Sequence, residues 1–103
     1  MSKMSKVAFI VLKSPQEQDP THMMRRFADK NDASVILFED GVFHAQQTAH
    51  AERLKEAADE VLVNKEDFEA RGFGQSDLKV GRLVDYPEIV DTIMERTDRT
   101  VTL

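Results

Sequence analysis

The sequence contains no cysteine. That rules out disulfides, thiolate metal ligands and any thiol or persulfide chemistry carried by the chain itself. Tryptophan is also missing, and Tyr86 is the only tyrosine. Glycine is sparse, with 4 in 103 residues. No Gly-x-Gly-x-x-Gly or P-loop pattern occurs, which argues against a dinucleotide or P-loop nucleotide site. The nucleophile elbow Gly-x-Ser-x-Gly is absent as well, so Ser14, His44 and Asp85 make a triad only on paper, and a hydrolase built on Ser14 or Asp40 has no local support. No apolar run approaches the roughly 20 residues that span a bilayer. The basic start Met1-Ser2-Lys3-Met4-Ser5-Lys6 leads into an apolar run that ends at Leu12. That is too short for a signal peptide and lacks a small-residue cleavage site, so we expect a cytoplasmic protein with no membrane partner. Cations are in deficit, with 14 Lys and Arg against 19 Asp and Glu for a net charge of -5. This argues against nucleic-acid binding as the main activity.

What is present reads as alternating strands and helices. Val7-Ala8-Phe9-Ile10-Val11-Leu12 is an unbroken apolar run of strand length, as expected of a strand buried on both faces. Lys13-Ser14-Pro15 ends it. Asp19-Pro20 supplies a helix cap followed by proline at the first helical position. Met23, Met24, Phe27 and Ala28 then mark a buried helix face, and Asn31 is placed for a left-handed stop. A second buried strand, Val35-Ile36-Leu37-Phe38, runs into the acidic turn Glu39-Asp40-Gly41-Val42. Asp40 is expected to cap the next helix and Gly41 to relieve the turn. Val42, Ala45, Ala49, Ala51, Leu54, Ala57 and Ala58 form a small-residue helix face, with Gln46-Gln47-Thr48 as a break. Glu52, Arg53, Lys55, Glu56 and Asp59 form its solvent side.

Val61-Leu62-Val63 is a third strand. Asn64 caps the helix after it, Phe68 and Ala70 face inward, and Gly72 stops it. The turn-rich loop Phe73-Gly74-Gln75-Ser76-Asp77 leads to a fourth strand, residues 80–84, in which Gly81 marks a bend or a close backbone approach. Asp85-Tyr86-Pro87-Glu88 opens a last helix with Ile89, Val90, Ile93 and Met94 on its buried face. Val101-Thr102-Leu103 is a final strand. The alternation implies an α/β fold, a parallel sheet covered on both sides.

Candidate ligand or partner contacts gather where the strands end: Lys13, Ser14 and Pro15; Asp40 and Gly41; Asn64 and Lys65; Asp85 and Tyr86. Open parallel sheets place their sites at that edge. Arg71, at the end of the third main helix, suits the helix dipole or a partner, and Phe73 and Tyr86 are apolar exits suited to burial against another subunit. Lys13, Ser14 and Asn64 also offer a place for a small anion or nucleotide on a self-associating protein. His22, His44 and His50 lack metal-ligand spacing and read as surface residues, so neither a metal nor a cofactor is expected.

Four short matches, taken in order, resemble the DsrE/DsrF/DsrH sulfur-relay family, and most closely its DsrH/TusB branch. They are Lys13-Ser14-Pro15, Glu39-Asp40-Gly41-Val42, Glu66-Asp67 with Ala70-Arg71-Gly72, and Val84-Asp85-Tyr86. The resemblance implies one domain over residues 1–103, an α/β/α arrangement around a mostly parallel five-stranded sheet. It also implies a cytoplasmic protein working in a homo- or hetero-oligomer with DsrE/DsrF-like (TusC/TusD-like) subunits, which pass persulfide sulfur toward tRNA wobble-uridine thiolation or in sulfur oxidation. DsrE-type relatives carry the sulfur on a Cys near the start of the helix after the third strand, matching Asn64-Lys65 here. DsrH members of sulfur oxidisers can carry one on the first helix, matching the region of Met23-Met24. With no thiol at either place, the resemblance points to a non-catalytic subunit that supports a Cys-bearing partner, with no direct contact to nucleic acid.

Overall fold

A computed structural model describes residues 6–103. Met1 to Ser5, most of the basic start, lie outside the described residues. Five strands form the sheet: β1 Val7–Val11, β2 Ala33–Leu37, β3 Glu60–Asn64, β4 Arg82–Val84 and β5 Arg99–Thr102. They lie in the order β4-β3-β2-β1-β5, and every pairing is parallel. The helices are α1 Thr21–Phe27, α2 Phe43–Gln46, α3 Thr48–Ala57, α4 Lys65–Ala70 and α5 Tyr86–Asp91, the last continuing into a wide turn over Thr92–Arg96. The break at Gln47 falls where the sequence placed it.

The topology explains why the two faces differ. The chain steps from β1 to β4 in one direction, so right-handed crossovers put α1 to α4 on one face of the sheet. The return from β4 to β5 runs the opposite way and places α5 on the other face. The first face holds the larger core: Val7, Phe9, Val11, Val35, Leu37, Val61 and Val63 from the strands, covered by Met24, Val42, Ala45, Leu54, Ala57 and Phe68. The second core is small, with Ala8, Ile36, Leu62, Val84 and Ile89. The amino-terminal part of this second face is polar. Glu60 accepts from Ser34 Oγ at 3.2 Å and from Arg96 Nη2 at 3.0 Å.

Short helices that each bury one narrow stripe correct several expectations, on the thinly covered second face most of all. Ile89 is buried, but Val90 and Met94 are exposed, because the single crossing helix has only the sheet beneath it. On α1, Met24 is buried while Met23 and Phe27 are exposed. Ala49 and Ala70 are exposed too, each on a solvent side of its short helix. Helix α1 starts one residue later than read: Pro20 holds the cap position, and the Asp19 carboxylate just before it accepts from the Thr21 N–H at 3.0 Å and from its hydroxyl at 2.7 Å. Asn31 is not left-handed. It lies in a 3₁₀ turn, Lys30–Asp32, after the chain has already gone extended at Ala28.

Two junctions follow the sequence closely. The end of α4 is a Schellman motif: Gly72 sits at φ 86°, its N–H donates to Glu69, and the Phe73 N–H donates to Phe68. The accompanying apolar contact is Phe73 on Phe68, with ring centroids 5.1 Å apart. Gly81, at φ 73°, passes so near β3 that an added Cβ would stand 2.2 Å from the Val61 carbonyl oxygen.

Candidate functional site

The strands deliver the candidate residues to the carboxyl edge of the sheet. The exit from β2 is the most tightly built. Phe38 extends the ladder by donating its N–H to the Val11 carbonyl at 3.1 Å. A 3₁₀ turn, Glu39–Val42, follows, closed by Gly41 N–H to the Phe38 carbonyl at 2.8 Å. Gly41 is not the left-handed residue. Glu39 is, at φ 51°. Gly41 is needed for space: a Cβ there would stand 2.1 Å from the Val11 carbonyl oxygen. A left-handed non-glycine residue costs about 1–2 kcal/mol, so other contacts must hold it. One is the Glu39 N–H, which donates to the Asp67 carboxylate at 2.7 Å. This is a hydrogen bond to a charged acceptor and so a strong one.

Asp40 does not cap the next helix, because its carboxylate is taken by a tertiary partner. Arg71 donates to Asp40 Oδ1 from Nε at 3.1 Å and from Nη2 at 2.9 Å. The same guanidinium donates from Nη1 to the Asp67 backbone carbonyl at 3.1 Å. The acidic turn and α4, distant in sequence, are thus bolted together through Asp40, Asp67 and Arg71. Arg71 serves the chain's own fold here.

At the end of β3, Asn64 is buried and caps α4 as the sequence predicted. Its Oδ1 accepts from the N–H of Glu66 at 2.9 Å and of Asp67 at 3.3 Å. Lys65 is exposed beside it. Of the region Asn64-Lys65 that the resemblance matches to a sulfur-carrying thiol, the buried member is thus an amide whose oxygen is already occupied.

At the end of β1, Lys13 is exposed and Pro15 half-buried. Ser14 is spent on a local turn. Its N–H and Oγ face Glu17 Oε1 at 3.3 and 3.4 Å, and its carbonyl accepts from Glu17 and Gln18. The loop is also held from below by His44, which sequence reading placed on the surface. His44 is 2% exposed, and its Nε2 lies 3.1 Å from the Lys13 carbonyl oxygen. The ring nitrogen donates there, since a carbonyl can only accept. His50 is also brought close, its ring 6.0 Å from that of His44. Spacing on one helix could not show this, because the two histidines belong to α2 and α3. Burial is the main cause pushing His44 below the usual imidazole range. Nearby His50 adds to this, against the Lys13 carbonyl and Asp19. For Asp19, burial pushes its carboxyl up, but the two Thr21 hydrogen bonds, with Arg53 and His44 nearby, outweigh it and hold the group below its ordinary value.

These engagements dispose of the paper triad. Ser14 faces Glu17, His44 faces a carbonyl, and Asp85 caps α5 by accepting from the Glu88 N–H at 3.1 Å. Among the described residues, no group of three or more His, Asp and Glu side chains is arranged to hold a metal ion.

The apolar exits separate. Phe73 is half-buried within the chain, edge-on to Phe43 at 5.6 Å and against Phe68. Tyr86 is 59% exposed, its ring 6.4 Å from Phe38. Four and eight residues on, Val90 and the 74% exposed Met94 continue an apolar stripe along α5 and the turn after it. Helical periodicity alone places Val90 and Met94 inside. The stripe is visible only once the sheet is known to have one short helix on that face.

Residues 13–99 match the family described as DsrH like protein. None of the curated proteins matches the chain. Among solved structures, the chain is similar to the solution NMR structure of protein Tm0979 from Thermotoga maritima. The identity is 29%, the TM-score is 0.60, and the match covers 84% of this chain and 90% of that one. Among the described residues no helix is long and apolar enough to cross a membrane.

Proposed function

The chain belongs to the DsrH-like protein family, and from that premise we propose that it is a non-catalytic subunit of a sulfur-relay complex. Its role is to complete an oligomer and to shape the surroundings of a persulfide carried by a cysteine of a DsrE/DsrF-like partner. The relay serves tRNA wobble-uridine thiolation or sulfur oxidation, and the protein works in the cytoplasm.

The observation that carries the reading is the absence of cysteine combined with what stands at the β3–α4 junction. A helix start lowers a thiol's pKa and would favour a thiolate. Here that position holds Asn64, buried and capping, which stabilises the helix and offers no nucleophile. The uncovered stripe Tyr86, Val90 and Met94 supports a protein surface as the neighbour, since such side chains lose contact with water on association.

The test is a sulfur-transfer assay with a Cys-bearing family member purified from the same host. The expected result is that the partner's thiol takes sulfane sulfur from a supplied persulfide donor, releasing the donor as a thiol, and that its onward transfer to an acceptor thiol quickens when this chain is present. This chain itself stays free of bound sulfur by mass. Transfer from the partner that is indifferent to this chain would contradict the reading.

A further inference from the structure

The opposite, amino-terminal edge of the sheet carries a second feature. A cleft of about 340 Å³ opens where α1 ends and β5 begins, over Val7. Arg25 and Arg26 reach it from the last turn of α1, and Arg99 from the first residue of β5. Arg99 pairs in register with Val7, so its side chain rises on the face that α1 covers. Among the described residues, none of these three guanidiniums has an ion pair or a side-chain hydrogen bond, whereas Arg53, Arg71, Arg82 and Arg96 all have partners. The same lining carries two carboxylates, Asp29 and Asp32, so the three unpaired arginines leave the cleft with a modest excess of positive charge in a chain whose net charge is -5.

The rest of the lining adds two demands on an occupant. Phe27 lines the cleft and is 44% exposed, a ring face open to stacking. Asp29 and Asp32 line it too, and a carboxylate at the rim can accept from a ligand hydroxyl or amine. Guanidiniums favour phosphate, which they can grip in bidentate fashion. The volume falls at the small end of ligand pockets. We propose that this cleft binds a phosphate monoester of nucleoside-monophosphate size, with the phosphate on the arginines, the ring system on Phe27 and a donor group on Asp32. A long polyanion fits less well, because beyond the cleft it would meet an acidic protein.

The test is an NMR titration of the isotopically labelled chain with AMP, ribose 5-phosphate and inorganic phosphate in parallel, with adenosine as control. We expect saturable shifts at the amides of Arg25, Arg26, Phe27 and Arg99 with AMP, weaker binding of the two ring-free phosphates, and none with adenosine. Arg99→Ala should weaken AMP binding at least about tenfold, the scale of one lost charged hydrogen bond. Its melting temperature should stay unchanged, since the side chain has no partner to lose. Adenosine binding as well as AMP, an R99A variant that binds unchanged, or the absence of shifts at millimolar AMP would each overturn the proposal.

Discussion

Arg71 grips Asp40 with two donors on one carboxylate oxygen, at 3.1 and 2.9 Å, and so ties the turn after β2 to the end of α4. The pair is partly open to water, with Asp40 54% exposed. Screening therefore limits its own coupling to about 1 kcal/mol. Arg71→Ala also frees the Asp67 carbonyl, so it should cost more than Asp40→Ala. A double-mutant cycle in urea should return a coupling of about 0.5–1 kcal/mol that shrinks in high salt.

Gly41 meets backbone, and backbone cannot swing aside as a side chain can. The Val11 carbonyl oxygen would lie 2.1 Å from a new Cβ and the carbonyl carbon 2.8 Å. Gly41→Ala should destabilise by about 2–4 kcal/mol, read as a lower urea midpoint with an unchanged slope. Gly72→Ala makes the contrasting case. Nothing crowds it, and only its φ of 86° is penalised, so its cost should be nearer 1 kcal/mol.

Asn64 can be tested by chemistry at one position. Asn64→Ala leaves the Glu66 and Asp67 amides without their acceptor and should cost about 1 kcal/mol. Asn64→Asp keeps an acceptor at the positive end of α4 and should retain most of the stability. Thermal unfolding of the two variants side by side reads the difference.

His44 gives the fold an acid limit. Its folded pKa is depressed below 6.5 chiefly by burial, so the unfolded chain binds the proton more readily. The contribution is fully present above about pH 6.5 and is lost as pH falls through the lower folded value. Asp19, also depressed, acts in the same direction but in the carboxylate range. Urea unfolding between pH 7.5 and 5 should show stability falling, and His44→Gln should flatten that slope while lowering stability at neutral pH.

Much of the architecture was legible because it is local. Unbroken apolar runs gave the buried parallel strands. Asn64 announced its cap by an acid three positions on, and Gly72 its left-handed stop. The order of short motifs pointed to the family that residues 13–99 match. What was hidden is tertiary. Asp40 looks like a cap until Arg71, thirty-one residues away, claims it. His44 looks exposed until the turn at Glu39 swings α2 over the β1 exit. Val90 and Met94 look buried because helical periodicity reports an apolar stripe without saying whether anything covers it.

The central claim is that this chain acts within an assembly whose thiol belongs to another subunit. Native mass spectrometry of the tagged chain, isolated gently from its host, tests it most directly. The account predicts a complex of defined stoichiometry containing a Cys-bearing DsrE/DsrF-like protein, with persulfide sulfur confined to that partner. It also predicts that Tyr86→Glu with Met94→Glu dissociates the complex and leaves the chain folded. A strict monomer at tens of micromolar, with no Cys-bearing family member bound, would contradict it.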